Sequence, residues 1–270
     1  QDNLQTLRKQ GVQVLGPASG EQACGEQGEG RLLEPVDIVN ELSHLVVPKR
    51  LKGKRVVVTA GPTHEPIDPV RYIGNRSSGK MGFAVAKAAA EAGAEVTLIS
   101  GPSHIVTPTG VSRIDVKTAQ QMHNAVMNNS TEGDIFIACA AVADYKLEQI
   151  EKSKIKKTKQ DYLQLNLVPT VDIVSAVVEQ GSASFVVGFA AETDDVTSYA
   201  QAKMERKNLD MIAANHVGEG LGFAVDENAL QVFWPEGSQV FPLAIKSQLA
   251  RDLMTLIIER YNAKNTIKNS

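Results

Sequence analysis

Residues 78–100 read SGKMGFAVAKAAAEAGAEVTLIS, an alanine-rich segment that is followed at once by an apolar one. The alanine-rich part predicts a helix over 78–92, which Gly93 closes because glycine adopts the left-handed conformation that ends many helices. The apolar part, 95–100, predicts a strand, and so does the segment RVVVT at 55–59. A strand, a helix and a second strand in this order form the repeating unit of parallel α/β sheets.

The same alternation of short apolar strands and helices continues through the rest of the chain. Further strands are predicted at 111–116, 134–140, 185–189 and 211–215. Further helices are predicted at 118–129, 172–179 and 196–207, and from near residue 245. Two β-hairpins are predicted at 154–167 and 230–242. The predicted fold class is α/β: a doubly wound, mostly parallel, Rossmann-like sheet with antiparallel hairpin additions.

Residues 1–50 differ from this regular pattern. Glycines interrupt a short acidic stretch that lacks a core of its own, and a predicted helix at 36–45 leads into a linker around Pro48. We therefore predict two regions, 1–50 and an α/β domain at 51–270. Because the first residue is Gln1 and not Met, we expect the chain to be a piece of a longer protein.

The composition argues against several classes of protein. With 43% hydrophobic residues the chain can bury a large core, and a net charge of −3 with a pI near 6.0 argues against nucleic-acid binding. No apolar run approaches the ~20 residues that span a bilayer. Cys24 and Cys139 lie far apart without metal-ligand spacing, which fits a reducing compartment. We expect a cytoplasmic protein without nucleic-acid or membrane partners.

The segment 71–82, RYIGNRSSGKMG, concentrates polar chemistry directly before the alanine-rich helix. It contains an amide, hydroxyls, glycines and cations. Glycines let the backbone approach a ligand closely, and a helix N-terminus offers N–H groups to an anion. The segment predicts a site for a phosphorylated or carboxylated small molecule, and the alternative is an ordinary Ser-capped helix after a polar loop.

Four more polar clusters follow predicted strands, where sheets of this kind bind their ligands. They are Gly61–Arg71, Ala138–Tyr145, the group of Lys152, Lys154, Lys156 and Lys157, and Gly188–Thr193 with Lys203 and Lys207. Taken singly, the lysines are more typical of a solvated surface, and Asp144 is as typical of a turn as of a metal site. Taken together, cations, an acid and an amide on one rim predict a site for a nucleoside triphosphate with a divalent ion.

These clusters resemble the phosphopantothenoylcysteine synthetase half of the bacterial bifunctional coenzyme A biosynthesis proteins, over about 51–265. Five blocks in the same order carry the resemblance. They are Thr59–Thr63 with Glu65–Ile73, Asn75–Phe83, Ala140–Tyr145, Lys154–Lys157 and Val187–Thr193. Five collinear blocks are far more specific than one glycine motif.

The resemblance implies an activity and assigns residues to it. Members of the family join 4′-phosphopantothenate to L-cysteine with CTP as co-substrate, through an acyl-cytidylate, and release CMP and pyrophosphate. Asn75 would serve the second step and Lys154 the first. Contacts to CTP are implied for Ala138, Cys139, Ala140, Asp144, Lys154, Val171, Asp172, Ile173, Val174, Phe189, Lys203 and Lys207. The family usually has Pro-Asp-Ile-Val at 171–174, whereas the proline of this chain lies at Pro169.

The resemblance also implies cofactors and partners. A magnesium ion would lie near Asp144, and a homodimer would form through the synthetase domain. Residues 1–50 resemble the C-terminal end of the flavin-dependent phosphopantothenoylcysteine decarboxylase, in which Cys24 would be the proton donor. FMN binding and decarboxylation are expected only in a full-length parent, because the flavin-binding body lies upstream of this segment.

Two other interpretations compete with this one. Tyr199 and Lys203 have the Tyr-x-x-x-Lys spacing of short-chain NAD(P)-dependent oxidoreductases, but Pro62 stands where such enzymes need a glycine-rich turn. A non-catalytic, nucleotide-binding relative would keep the fold without turnover. The presence of Asn75, Lys154 and Asp144 argues against that second alternative.

Overall fold

The computed structural model describes residues 2–21, 27–35, 38–39, 42, 46–130, 133–156, 163–192, 196–216 and 226–268. By their internal contacts, the residues divide into two units, 1–48 and 49–270. The first unit contains helix α1 (Asp2–Lys9) and an antiparallel ribbon of β1 (Ala18–Glu21) and β2 (Gln27–Arg31). Cys24 and most of the helix predicted at 36–45 lie outside the described residues.

The second unit follows the predicted alternation closely. Its strands are β3 (Arg55–Ala60), β4 (His64–Pro66), β5 (Tyr72–Gly74), β6 (Glu95–Ser100), β7 (Val111–Asp115), β8 (Gly133–Ala138), β9 (Tyr145–Leu147), β10 (Leu167–Pro169), β11 (Ala183–Glu192), β12 (Met211–His216), β13 (Glu227–Trp234) and β14 (Gly237–Ile245). Its helices are α2 (Lys80–Glu91), α3 (Ala119–Ser130), α4 (Ile173–Gln180), α5 (Val196–Arg206) and α6 (Lys246–Lys268). None of the helices described is long and apolar enough to cross a membrane.

Eight strands form one sheet in the order β14-β13-β12-β11-β8-β3-β6-β7. The six strands from β12 to β7 are parallel to their neighbours, and β13 and β14 pair antiparallel at one edge. The chain moves outward from β3 through β6 to β7, then returns and moves the other way from β8 through β11 to β12. The reversal between β3 and β8 is the topological switch point, where doubly wound sheets bind ligands. The predicted fold class is confirmed.

Apolar side chains cover both faces of this sheet. On one face α2 and α6 pack over a core that includes Val56, Val58 and Leu253, all fully buried. On the other face α3, α4 and α5 cover a second core that includes Phe136 and Ile212. Strands that are buried on both faces read as continuous apolar runs, which is why β3 and β8 could be recognised in the sequence.

The hairpin predictions had different outcomes. The pairing of β13 with β14 confirms the hairpin at 230–242. The prediction of a regular hairpin over 154–167 is wrong in its bounds. The antiparallel ladder joins β9, which precedes this range, to β10, which begins at its last residue. Ile155 is instead hydrogen-bonded to two side chains of the loop between β4 and β5. Its N–H donates to Asp68, and its carbonyl accepts from Arg71. Residues 157–162, with the predicted turn, lie outside the described part of the chain.

Candidate functional site

A cavity of about 540 Å³ opens at the carboxyl edge of the sheet, at the switch point between β3 and β8. The segment between β5 and α2 contributes residues 75–79, and the loop after β8 contributes residues 139–142 and Asp144. A narrower cavity of about 270 Å³ adjoins it and shares Ala140, Val142, Asp144, Phe189 and Lys203. The two cavities together form the candidate site.

Hydrogen bonds join the loops after β3 and β8 into one rigid rim. Ala141 N donates to Gly61 O at 2.9 Å, and Thr63 N donates to Ala141 O at 3.2 Å. The buried hydroxyl of Thr63 accepts from Ala143 N at 2.9 Å. Each loop supplies hydrogen-bond partners for backbone groups of the other loop, so these groups are satisfied within the protein.

Asn75 is anchored to this rim. Its Nδ2 donates to Val142 O at 2.9 Å, and the residue is otherwise exposed at the mouth of the larger cavity. A side-chain amide has two N–H donors and one acceptor oxygen, so this bond leaves a donor and the oxygen for a ligand. Asn75 can therefore hold or polarise a carbonyl group without changing its own charge.

The N-terminus of α2 faces the same cavity. Its N-cap is Gly79, which has a φ of 80° and makes no side-chain capping bond, so the Ser-capped alternative is wrong in this detail. The hydroxyls of Ser77 and Ser78 accept from Gly79 N and Lys80 N, at 3.2 and 3.4 Å. Met81 and Gly82 also line the cavity. First-turn N–H groups and the helix dipole favour an anion at this place.

The narrower cavity contains most of the residues implied for CTP, which lie on β8 and in the loop after it, around the start of α4, on β11 and at the end of α5. They are Ala138, Ala140, Asp144, Val171, Asp172, Ile173, Val174, Phe189, Lys203 and Lys207. Two of its cations have partners within the protein: Lys203 Nζ donates to Phe189 O at 2.9 Å, and Lys207 Nζ lies 2.9 Å from Asp172 Oδ2. Asp144 and Asp172 balance these two lysines, whereas the larger cavity has four cations and one carboxylate among its described lining residues, so the narrower cavity is more nearly neutral.

Asp172 links two elements at this cavity. It is the N-cap of α4 and accepts from Ser175 N at 3.1 Å, while it also pairs with Lys207. Burial raises the pKa of the Asp172 carboxyl, but the hydrogen bonds from Lys207 and Ser175 outweigh it, and the pKa is lowered overall. The carboxylate is therefore charged at neutral pH and joins the start of α4 to Lys207, directly after α5.

Cys139 and Lys246 also line the larger cavity. Burial raises the pKa of the Cys139 thiol to about 12, and the charge of Lys246 opposes this only in part. The thiol is therefore protonated at neutral pH and is not a nucleophile, because the thiolate is the reactive form.

Of the other predicted site residues, Asp144 lies in the candidate site, whereas Lys154 and Cys24 are not found there. Asp144 is an exposed carboxylate that lines both cavities. Lys154 lines a third cavity of about 540 Å³ with Glu148, Glu151 and residues 163–166, and does not line the first two. Cys24 lies outside the described residues. Within the described ranges, no group of three or more His, Cys, Asp or Glu side chains could hold a metal ion.

Three polar residues of the larger cavity were not predicted from the sequence: Asn215, Asn228 and Lys246. They belong to the end of β12, the start of β13 and the first residue of α6. Since β13 is antiparallel to its neighbours, its start lies at the same edge as the ends of β12 and β14. Lys246 directly follows β14, as ligand-binding residues of such sheets follow strands. This position points to the site only once the order of the strands in the sheet is known.

The oxidoreductase interpretation finds no support in the geometry. Tyr199 is 60% exposed on α5 and lines neither cavity, while Lys203 donates to the carbonyl of Phe189. A Tyr–Lys pair that acts on one substrate would have to face the same space.

Known proteins resemble this chain in sequence and in structure. The sequence pattern of the family described as DNA/pantothenate metabolism flavoprotein C-terminal domain matches residues 51–261. The coenzyme A biosynthesis bifunctional protein CoaBC of Vibrio cholerae is 54% identical over 263 residues, which are 96% of this chain and 66% of that protein. The chain thus spans slightly less than two thirds of the length of this relative.

Two solved structures share the fold. The crystal structure of the C-terminal domain of coenzyme A biosynthesis bifunctional protein CoaBC superposes with a TM-score of 0.67 at 35% identity, and covers 82% of this chain and 100% of that one. A Cab2 mutant in complex with phosphopantothenate-cysteine superposes with a TM-score of 0.70 at 17% identity, and covers 87% and 96% of the two chains.

The resemblance predicted from the sequence is confirmed by these matches. The chain belongs to the family of the DNA/pantothenate metabolism flavoprotein C-terminal domain and is a homologue of the C-terminal domain of the coenzyme A biosynthesis bifunctional protein CoaBC.

Proposed function

We propose that this chain ligates 4′-phosphopantothenate to L-cysteine in coenzyme A biosynthesis, with CTP as the activating nucleotide. One observation carries the proposal: a single site at the switch point combines the Asn75 amide, the open N-terminus of α2 and the residues implied for CTP. The names of the CoaBC relatives and the phosphopantothenate-cysteine complex of Cab2 agree with it.

The first step activates the carboxylate of phosphopantothenate. A carboxylate oxygen attacks the α-phosphorus of CTP, the bond from that phosphorus to the bridging oxygen breaks, and pyrophosphate leaves with that electron pair. The product is an acyl-cytidylate. Negative charge grows on phosphate oxygens in this step, and the α2 N-terminus and the lysines of the larger cavity would stabilise it. Loss of one such contact is expected to cost ~2–4 kcal/mol of transition-state stabilisation.

The second step forms the amide bond. The cysteine amine attacks the acyl carbon, the carbon–oxygen bond to CMP breaks, and the nitrogen loses a proton to solvent. Asn75 is fixed through Val142 O and has a second N–H that can point to the oxyanion of the tetrahedral intermediate. Its role would be to hold the acyl group in line for attack.

Magnesium fits this site as a companion of the nucleotide. Mg²⁺ commonly takes one or two carboxylates from a protein and the rest of its ligands from phosphates and water. Among the described residues, Asp144 is the one carboxylate that lines both cavities, and it would hold the ion. When bound, Mg²⁺ neutralises charge on the phosphates of CTP.

The narrower cavity suits the nucleoside part of CTP. Its volume is about 270 Å³, its ammonium groups have protein partners, and backbone groups of 138–144 border it. We assign the choice of cytosine to hydrogen bonds between this backbone and the edge of the base. The triphosphate would then extend into the larger cavity.

Residues 1–50 and the assembly complete the proposal. We assign residues 1–50 to the C-terminal end of a flavin-dependent decarboxylase domain, with Cys24 as its proton donor and FMN bound by the rest of that domain.

We assign residues 51–270 to a synthetase domain that forms a homodimer. Val240, Leu243 and Ile245 are exposed on β14, at the edge of the sheet, and offer apolar surface for a second copy. Light scattering that shows only monomers would contradict the dimer.

The proposed activity has a direct test in substrate omission. The purified protein should turn over CTP to CMP and pyrophosphate only when phosphopantothenate and cysteine are both present, because CMP leaves only when the cysteine amine attacks the acyl-cytidylate. Lys154 lines the third cavity and its role in the first step is implied by the family resemblance alone, so Lys154→Gln tests that role and should reduce the rate of pyrophosphate release. Normal release in this variant would remove Lys154 from the first step, whereas no product from the wild-type protein would overturn the whole proposal.

A further inference from the structure

Thr63 is a buried polar residue between the two segments that border the candidate site. The residue is 0% exposed and lines none of the three cavities. Its backbone N–H donates to Ala141 O at 3.2 Å, and its hydroxyl oxygen accepts from Ala143 N at 2.9 Å. A hydroxyl in the interior needs hydrogen-bond partners, because burial removes its hydration. Both bonds of Thr63 hold the segment that leads to Asp144, the residue to which we assign magnesium.

The same segment is held by a second threonine. Thr170 Oγ1 donates to Ala143 O at 2.6 Å, and Thr170 N donates to Asp144 O at 2.9 Å. Thr63 and Thr170 thus bind the backbone of Ala143 and Asp144 at three places, whereas Asp144 itself is exposed and lines both cavities of the site. A fixed backbone restricts the positions that the carboxylate can reach. A residue that holds a metal ion together with phosphates requires such orientation by its neighbours.

The backbone carbonyl of Thr63 contacts the segment that leads to Asn75. Gly74 pairs with His64 in the ribbon of β4 and β5, and a Cβ on Gly74 would lie only 2.7 Å from Thr63 O. Gly74 does not have a positive φ, so its backbone conformation would accept other residues, and the close approach to Thr63 is what requires glycine here. The position of Asn75, the next residue, therefore depends on the position of Thr63.

These contacts close a ring at the rim of the site. Asn75 Nδ2 donates to Val142 O at 2.9 Å, and Val142 precedes Ala143, whose N–H donates back to the Thr63 hydroxyl. We infer that Thr63 is a positioning residue that fixes Asn75 and Asp144 relative to each other. The inference rests on the proposed function, in which Asp144 holds magnesium beside the nucleotide and Asn75 serves amide formation. It extends that function to a residue that lines neither cavity of the candidate site.

Thr63→Val tests the ring, because it removes the hydroxyl and keeps the shape of the side chain. The first readout is metal binding in the presence of CTP but without 4′-phosphopantothenate, so that no turnover occurs. Mn²⁺ replaces Mg²⁺, and its free concentration is followed by electron paramagnetic resonance. The variant should bind Mn²⁺ about 10-fold more weakly than wild type, an effect typical of the loss of a group that orients a metal ligand.

The second readout is the rate of amide formation. The protein is first mixed with CTP, Mg²⁺ and 4′-phosphopantothenate to form the acyl-cytidylate, and cysteine is then added. Phosphopantothenoylcysteine should appear about 10-fold more slowly with Thr63→Val than with wild type, because a small displacement of Asn75 spoils the alignment for attack. Thr63→Ser restores the hydroxyl and should recover most of both readouts.

Two further variants make the test specific. Thr118→Val is the matched control, because Thr118 Oγ1 also accepts from a backbone N–H, that of Gln121 at 3.2 Å, but the residue lines none of the three cavities. It should unfold at lower urea concentration than wild type and change neither readout. Gly74→Ala leaves Thr63 in place, but its methyl group pushes on Thr63 O, so both Mn²⁺ affinity and the rate of amide formation should fall. This variant tests the ring even if Thr63→Val does not fold.

The possible results distinguish this inference from the proposed function. A folded Thr63→Val variant that binds Mn²⁺ and forms the amide like wild type would overturn the inference, even if the ligase reaction proceeds normally. Gly74→Ala that slows amide formation but keeps the Mn²⁺ affinity of wild type would overturn it as well, because Asn75 and Asp144 would then be placed independently. A protein whose Mn²⁺ affinity falls in both variants but whose wild type forms no phosphopantothenoylcysteine would support the ring and overturn the proposed reaction.

Discussion

Asp68 organises the loop that leads from β3 to the Asn75 segment. Its side chain is fully buried: Oδ1 accepts from Val70 N and Arg71 N, both at 2.8 Å, and Oδ2 accepts from Ile155 N at 3.1 Å. The guanidinium of Arg71 lies 2.8 Å from the same carboxylate and donates to Ile155 O at 2.5 Å. The position of Lys154, the neighbour of Ile155, therefore depends on a carboxylate in a distant part of the sequence.

The charge of Asp68 should make stability depend on pH. Burial raises the pKa of this carboxyl, but hydrogen bonds from Val70, Ile155 and Arg71 and the charge of Arg71 outweigh it, so the pKa lies below the usual 3.8. A lowered pKa stabilises the folded state above the unfolded-state pKa, and this contribution is lost as the pH falls through the folded-state value. Asp68→Asn should thus be less stable than wild type at pH 7, with a difference that shrinks below about pH 4.

Urea denaturation between pH 3 and pH 7 measures this difference. Asp115→Asn is the matched control, because Asp115 also pairs with an arginine but its side chain is 70% exposed. The control should unfold almost like wild type at every pH, since exposed ion pairs contribute little. A stability loss in Asp68→Asn that stays constant down to pH 3 would contradict the assignment of a charged carboxylate.

Asn75 provides a test of the second step. Asn75→Asp keeps the shape but replaces the N–H groups by a carboxylate, which cannot donate to Val142 O or to an oxyanion. The first step should continue, so the acyl-cytidylate should accumulate and be detected by mass spectrometry while product formation falls about 10²- to 10³-fold. Asn129→Asp, at the exposed end of α3, is the control. A variant that accumulates no intermediate would exclude Asn75 from this step.

At the scale of elements, helix α2 determines the geometry of the site because its start forms one wall. The helix packs closely on β3 at Gly82: a Cβ at this position would lie 2.5 Å from Ala60 Cβ and 3.2 Å from Thr59 O. The helix could not keep its place with a larger side chain there. The close approach also brings the open N-terminus of α2 to the carboxyl end of β3.

Gly82→Ala should reveal this contact by the sign of its effect. In an unconstrained helix the change from glycine to alanine stabilises by ~1 kcal/mol. Here the clash with Ala60 should reverse the sign and lower the free energy of unfolding by ~1–3 kcal/mol, with weaker CTP binding as the start of α2 moves.

The double variant Gly82→Ala with Ala60→Gly removes the clashing methyl and supplies the control. In a double-mutant cycle the two changes should couple favourably, so that the double variant is more stable than the sum of the single effects predicts. Purely additive effects, or a stabilised Gly82→Ala, would show that α2 does not pack on β3 as described.

The elements also show how far the sequence could predict the structure. Helices α2 to α5 and the central strands were predicted within a few residues, because buried parallel strands and capped helices leave strong local patterns. The ribbon of β4 and β5 and the pairing of β9 with β10 were not predicted. Their strands are three residues long and their order depends on side chains such as Asp68, which leave no periodic signal.

On the scale of the whole molecule, the site is a consequence of strand order. Asn75 and Asp144 are 69 positions apart in the sequence, but they line one cavity because β3 and β8 are neighbours at the switch point. The sequence placed both residues after strands, and general rules for α/β sheets then predicted one rim. Lys246 and Asn228 could not be found in this way, because nothing local indicates that β13 and β14 extend the same sheet. The separation of Lys154 from the two cavities was equally invisible in the sequence.

The C-terminal helix α6 runs from the carboxyl edge of the sheet to its amino edge. Lys246 at its start lies at the carboxyl edge, in the larger cavity, whereas Tyr261 donates its hydroxyl to Asp134 at 2.8 Å beside the amino end of β8. Asp134 also pairs with Lys54 at 2.9 Å. A site assembled from so many separate segments is coupled to the global fold, so its ligands should stabilise the whole domain.

The proposed site activates a carboxylic acid with a cytidine nucleotide. A comparison of the rates of pyrophosphate release with two nucleotides tests this directly. Pyrophosphate release should be followed with CTP or ATP at equal concentration, with 4′-phosphopantothenate and cysteine present. We expect CTP to support release at least about tenfold faster than ATP, because base discrimination through a few hydrogen bonds corresponds to ~1–3 kcal/mol. Equal rates, or release that does not require 4′-phosphopantothenate, would contradict the account.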